Sequence, residues 1–263
     1  MTATTGELRV PGVVLAGGKA KPDLVALTGQ TVRALATVNG KTLLRHVVDA
    51  MRAAENCGPI TVVGNVPPSD DYACLPDGGG FVENIFAGLN AYVDAPFVLI
   101  STSDLPFLTG ESVADFIRGA AELANTSGAG MIYSIVSVAR CYERFPGIKR
   151  TARKLREGEF TGGNLVLARP QFMLEQRPHL AAAYAARKSP LRLAGIMGWD
   201  TIGRLLVSQL IAPGLLTLPY LEGRASRVLG GPVRAFLSDY PEVATDLDRP
   251  SDFAAIAPKE PAR

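Results

Sequence analysis

Three segments of this chain hold residue types whose spacing suits chemistry. The first is Val13-Val14-Leu15-Ala16-Gly17-Gly18-Lys19, an apolar run that ends in two glycines and a cation. Glycines let backbone N–H groups approach a phosphate without interference from Cβ, and an ammonium adds charge. The same pair also suits a plain tight turn. The second is Ile100-Ser101-Thr102-Ser103-Asp104-Leu105-Pro106, where a carboxylate follows a buried-strand pattern and precedes a rigid Leu-Pro step. Mg²⁺ on a nucleotide takes only one or two protein carboxylates, so a single Asp here suffices for half of that task. Its other reading is a cap on the following turn. The third runs from Asp239 to Phe253, where Asp246 and Asp248 alternate around Leu247 and share one side of an extended chain. One acid can brace this loop while the other reaches a metal. Ser251 or Arg249-Pro250 then opens a closing helix, Pro being well suited to a first turn.

Other reactive side chains are sparse. Cys57, Cys74 and Cys141 lie far apart without a C-x-x-C pair, which reads as reduced thiols and not a disulfide frame or zinc site. The only histidines are His46, on a helical stripe, and His179, after Pro178; with no carboxylate or nucleophile beside them in sequence, both read as structural. Arg150, Arg153, Lys154 and Arg156 form a local basic cluster, either a solvated face or an anion site. Elsewhere charge is balanced: 27 basic against 25 acidic residues give a net +2 over 263 residues. That excludes a broad electrostatic footprint for nucleic acid. With 47% hydrophobic and 20% charged residues the chain reads as a compact enzyme and not a disordered one. Residues 1–9 carry no apolar core of a secretory signal, so a cytoplasmic location is expected. The charge-free run Leu205 to Leu221 is broken by Pro213, Gly214 and Pro219 and is shorter than the ~20 residues of a membrane span. It reads as a core helix followed by a strand.

The elements that must position these residues follow from periodicity. Strands are expected at 12–16, 60–64, 96–101, 129–138, 164–168 and 233–237, and helices at about 42–55, 81–94, 110–124 and 250–257. Residues 140–160 read as a basic loop, and 171–211 as a helical region broken at Pro178, Pro190 and Gly198. The alternating order argues for an α/β fold: one Rossmann-like, three-layer domain over 10–257 with a mostly parallel mixed sheet and a helical insertion at about 171–211. Ligands are then expected beyond the carboxyl ends of the strands.

Taken together, the VVLAGGK loop, the R-A-L-x-x-V-N-G-K-x-L-L segment from Arg33 to Leu44, the S-x-S-D-L-P step and the D-L-D-R-P-S-D-F close occur in order. Over Val13 to about Ile256 the chain resembles the MobA-like nucleotidyltransferases of the nucleotide-diphospho-sugar transferase superfamily. The resemblance implies transfer of a nucleoside monophosphate from an NTP to a small phosphorylated acceptor, with release of pyrophosphate and with Mg²⁺ or Mn²⁺ as cofactor. Leu15, Ala16, Gly17, Gly18 and Lys19 would then hold the triphosphate. Asp104 would bind the metal with Asp246 as its second ligand, or Asp248 in its stead, and Ser103 would stand beside the nucleotide. Asn65 and Gly78, Gly79 and Gly80 would line the base and ribose pocket. Phe160, Thr161, Gly162, Gly163 and Asn164 resemble the family's acceptor-side loop, and Arg150 and Lys154 would meet an acceptor phosphate.

The chain departs from the family in its cations. Family loops commonly carry an arginine shortly after the glycines and then a Pro-Lys step. Here Lys19-Ala20-Lys21-Pro22-Asp23 leads into a longer excursion and Arg33 takes the second cation's place. Lys19, Lys21 and Arg33 are therefore the candidates to face the α-phosphate. The apolar helical residues of 185–221 would shape the acceptor pocket or a contact between copies of the chain. Two other readings remain at this point: a nucleotide-sugar-dependent glycosyltransferase, with Asp246-Leu247-Asp248 as its Asp-x-Asp motif, and a non-catalytic nucleotide-binding domain.

Overall fold

The computed structural model describes residues 9–186 and 216–256, together with Ser189, Gly195, Gly198 and Gly203. Within them the chain forms β1 (Val10–Leu15), α1 (Pro22–Thr28), β2 (Thr37–Val38), β3 (Lys41–Thr42), α2 (Leu43–Ala53), β4 (Cys57–Val63), β5 (Ala73–Leu75) and α3 (Phe81–Asn90). Then come β6 (Val98–Thr102), α4 (Gly110–Ser127), β7 (Met131–Ser137), α5 (Val138–Arg144), β8 (Arg153–Leu155) and β9 (Gly158–Ala168). The described part closes with α6 (Pro170–Glu175), α7 (Arg177–Ala186), α8 (Leu218–Val228), β10 (Val233–Ser238) and α9 (Pro250–Ile256).

The main sheet has the order β10-β7-β9-β6-β1-β4-β5. β1 runs parallel to β4 and β6, β4 to β5, and β10 to β7, whereas β9 is antiparallel to both β6 and β7. Alternation along β1 explains the layers. Val14 faces one side, where it joins Leu44, Val48 and Met51 of α2 and Phe116, Ile117 and Ala120 of α4. Val13 and Leu15 face the other, against Val82, Ile85, Phe86 and Leu89 of α3. Buried on both faces, the parallel strands are continuous apolar runs, which is why their sequence signal is strong.

Three expectations change. The segment 140–160 is not a loop: it holds α5, β8 and the start of β9, the last spanning eleven residues where only 164–168 is expected. Residues 160–162 pair with β7 and Glu159 with Lys154 of β8 through backbone groups, so Glu159 and Gly162 need no strand propensity of their own. The break in the helical region falls at Gln176 and not at Pro178, because Pro178 lies in the first turn of α7, where a missing N–H costs nothing. From Leu218 the expected strand is a helix: Thr217 caps α8 by accepting from the Tyr220 amide at 3.3 Å. The remainder of 171–211, and most of Leu205 to Leu221, lie outside the described residues.

Candidate active site

The carboxyl ends of β1, β4 and β6 form one edge, and the glycine loop leaves the sheet there. The Ala16 amide still bonds to the Val63 carbonyl at 2.8 Å, and the chain then turns out through Gly17 and Gly18. A Cβ on Gly17 would overlap Asn84 Nδ2 and stand 2.7 Å from Asp77 Oδ1, so only glycine fits this approach. Asn84, buried in the first turn of α3, accepts from the Gly78 amide at 2.7 Å and donates to Asp77 Oδ1 at 2.9 Å. Asp77 also accepts from the Gly79 amide at 3.1 Å. Gly80, the N-cap of α3, offers no side-chain cap, which leaves first-turn amides available to an anion.

These loops enclose a cavity of about 500 Å³, bordered by Leu15, Gly17, Gly18, Lys19, Gly79 and Gly80. Asp77, Asn84, Phe81, Tyr184 and Thr102 border it as well. The sequence reading missed these five; only the Asp-Gly-Gly-Gly run ahead of the α3 stripe signals the first. Four expected residues stand elsewhere. Ala16 is fully buried at the end of β1, and Gly78, tied by its amide to Asn84, does not border the cavity either. Asn65 is exposed beyond β4 and does not border the cavity, and Ser103 is buried, because Thr102 one residue earlier takes the cavity-facing position.

The excursion after Lys19 folds back on itself. Lys19 and Val32 form an antiparallel bridge, the Ala20 amide donates to Thr31 at 2.9 Å, and the Arg33 amide donates to Gly18 at 3.0 Å. Residues 21–31, containing α1, are thus looped out, and Arg33 returns to the glycine turn. Its guanidinium pairs with Asp104 Oδ2 at 3.1 Å and with Asp248 Oδ1, and Lys21 Nζ meets Asp248 Oδ2 at 2.6 Å. The third acidic segment reaches this point through its backbone, the Leu247 amide donating to the Asp104 carbonyl at 3.0 Å. Asp252 accepts from the amides of Asp248 and Arg249 at 3.1 and 2.9 Å, so it is the acid that braces the loop and opens α9.

Electrostatics separates the acids. Burial, then the charge of Asp104, pushes the Asp246 carboxyl up from its ordinary value. Burial acts in the same sense on Asp248, but the Lys21 hydrogen bond and the Arg33 charge outweigh it and hold that group below the usual range. Burial pulls the Arg33 guanidinium down, and Asp104, Asp248 and Asp246 more than compensate. Asp104 and Asp248 thus face Arg33 and Lys21, while Asp246 feels the charge of Arg150. Asp104 Oδ1 is buried without a hydrogen-bond partner, and Asp246 is approached by Asn164 Nδ2 only at 3.5 Å. Two hard oxygen donors of this kind fit Mg²⁺ or Mn²⁺. Among the described residues no group of three or more His, Cys, Asp or Glu side chains is placed to hold a metal.

On the far side of the carboxylates lies a second cavity of about 450 Å³, bordered by Lys149, Arg150, Arg153, Thr161, Gly162 and Asp246. Arg150 donates to the Ala244 carbonyl and to Thr245 Oγ1, the latter at 2.6 Å, and so holds the loop that carries Asp246. Lys154 does not border this cavity; alternation along β8 gives that place to Arg153. The expected acceptor-side loop at 160–164 is a strand with a bulge. Between Tyr133 and Ile135 the partner on β9 advances from Val166 to Gly162, and Ser134 Oγ closes the gap by donating to the Leu165 carbonyl at 2.8 Å. Of the expected set, Leu15, Gly17, Gly18, Lys19, Arg33, Gly79 and Gly80 border the glycine-walled cavity and Arg150, Thr161, Gly162 and Asp246 the basic one, with Asp104 joined to them through Arg33 and Asn164 through Asp246.

The MobA-like NTP transferase domain matches residues 12–188, more than half of the chain. The chain belongs to the MobA-like NTP transferase family. Membership makes the protein a nucleotidyltransferase. A hypothetical transferase of Thermus thermophilus is 36% identical with a TM-score of 0.82, over 93% of this chain and 99% of its own. Two further structures share the fold alone. The 2-C-methyl-D-erythritol 4-phosphate cytidylyltransferase of Thermus thermophilus is 18% identical, with a TM-score of 0.51 over 92% of this chain and 94% of its own. The 4-diphosphocytidyl-2C-methyl-D-erythritol synthase of Anaerococcus prevotii is 9% identical, with a TM-score of 0.55 over 94% of this chain and 93% of its own. No curated protein sequence matches the chain. The MobA-like match ends before Asp246 and Asp248, which join the site through tertiary structure. No helix among the described residues is long and apolar enough to cross a membrane.

Proposed function

We propose that this MobA-like protein transfers a nucleoside monophosphate from an NTP to a small phosphorylated acceptor and releases pyrophosphate. The observation that carries the reading is the Asp104 and Asp246 pair: Asp246 borders the basic cavity, and Asp104 is ion-paired to Arg33 of the glycine-walled one, its charge felt by Asp246. Glycine-loop amides and the N-terminus of α3 suit the triphosphate, and Lys19, exposed at the rim, suits its outer phosphates. Lys149 and Arg153 suit the acceptor phosphate. That phosphate needs no general base, because the second pKa of a phosphate monoester is about 6. Its oxygen forms the new bond to the α-phosphorus, the bridge to the β-phosphate breaks, and pyrophosphate leaves with the electron pair.

The chain contributes position and charge to this step. In this reading Arg33, which borders the glycine-walled cavity and pairs with Asp104, takes α-phosphate oxygens in its fork, with Lys21 holding Asp248 aside; those contacts support it over Lys19 and Lys21. Asp104 and Asp246 would hold Mg²⁺, which supplies neutralisation of triphosphate charge when bound. The test is pyrophosphate release from each of ATP, CTP, GTP and UTP with a panel of phosphorylated acceptors. At least one pair is expected to react, and Asp104→Ala to lower that rate by about 10²–10³. Pyrophosphate from no pair, or undiminished turnover in the variant, overturns the reading.

A further inference from the structure

We propose that the acceptor carries an apolar body, held in a third cavity of about 280 Å³ on the sheet face covered by α3, α6 and α7. The inference rests on the nucleotidyl-transfer reading and specifies its substrate class. Leu15, Ile100 and Val166 form the floor from three strands, and Ile85, Met173 and Leu180 face them from the three helices. Ile100 and Tyr133 are both cross-strand partners of Val166, so these side chains share one face of the sheet.

Two observations tie this cavity to the site. Leu15, Phe81 and Thr102 border both it and the glycine-walled cavity, and Thr102 Oγ1 is buried at that junction without a hydrogen-bond partner. A buried unpaired hydroxyl is costly, and a polar atom of a ligand would satisfy it. On the other flank, Tyr133 belongs to the apolar cavity while its hydroxyl occupies the space that a Cβ on Gly162 would need. Gly162 belongs to the wall of the basic cavity. A glycine there lets the phenol stand at the joint between the apolar and basic chambers. A molecule that spans this joint puts its phosphate among Lys149 and Arg153 and its body among the aliphatic side chains. A polyol body would strand hydroxyls against those walls, whereas an alkyl or aryl body gains from burial.

The test compares methyl, propyl and butyl phosphate with glycerol phosphate as acceptors of the full chain at saturating Mg–NTP. Each added methylene is expected to raise kcat/KM about fourfold, with glycerol phosphate below propyl phosphate. Val166→Phe and Leu180→Phe fill the cavity from opposite walls, so misfolding of one leaves the other informative. Both are expected to lose calorimetric binding of butyl phosphate while keeping the thermal shift with Mg–NTP. Glycerol phosphate equal to or better than butyl phosphate overturns the proposal, as does butyl phosphate bound equally by both variants. Loss of the Mg–NTP shift in the variants, with butyl phosphate binding retained, overturns it too, since the cavity would then serve the nucleobase. Failure of nucleotidyl transfer itself reads out separately, as no pyrophosphate from any NTP, and butyl phosphate failing to bind the wild-type chain then overturns the cavity assignment on its own.

Discussion

Arg33 touches Asp104 and Asp248 at once, and a planar fork is what allows this. A lysine there keeps the charge but meets one acid at a time. Arg33→Lys is expected to lower kcat/KM by about 10–100-fold, the equivalent of one or two charge-assisted hydrogen bonds, in steady-state pyrophosphate assays. An unchanged value would show that charge alone is used. The three candidate cations were legible as residue types; their division of labour was not. Lys21 pairs with Asp248, 227 positions away in sequence, and local spacing carries no trace of such a contact. Cysteine chemistry follows the same logic in reverse. Burial pushes the Cys57 thiol up to about 11, which leaves it protonated and inert.

β9 illustrates why an element can hide. Gly162-Gly163 reads locally as a turn, yet the glycines serve a bulge whose unpaired groups are satisfied by Ser134. A Cβ on Gly163 would overlap Ser134 Oγ and lie 3.0 Å from Val243 Cγ1. Gly163→Ala is expected to destabilise the protein by about 1–3 kcal/mol in urea unfolding, and wild-type stability would refute the bulge assignment. The β2–β3 hairpin offers a pH test, because Asp49 of α2 accepts from Lys41 and Arg45 at 2.8 and 2.7 Å. Burial works to raise the Asp49 carboxyl, but these hydrogen bonds prevail and hold it below its usual 3.8. The unfolded chain therefore takes up this proton first on acidification. Its stabilisation is complete above that value and is lost as pH falls through the depressed one. Asp49→Asn should cost under about 1 kcal/mol at pH 7 and flatten the acid limb of stability against pH by that amount.

The closing segment 239–253 returns across the molecule to the first loop, with Leu247 bonded to Asp104 and Asp248 to Lys21 and Arg33. Mg–NTP would consequently link both ends of the chain and stabilise the whole fold. At a hundred times its Kd the complex should add about 2.7 kcal/mol, or roughly 5–10 °C in Tm, and a chelator should remove most of that rise. An equal rise with chelator present would take Asp104 and Asp246 out of metal binding. The parallel strands and the amphipathic helices were readable from the amino acids alone, because burial on both faces imposes apolar runs and a stripe imposes helical spacing. The glycine loop and the acids were readable too, since their residue types have few other uses together. What folding alone decided was which atoms meet: the return of Arg33 to Gly18 by a looped-out helix, the choice of Asp252 as brace, the place of Arg153 over Lys154, and the apolar chamber beside Thr102. Each of these depends on backbone hydrogen bonds and side-chain facing between segments distant in sequence, and no local pattern encodes them.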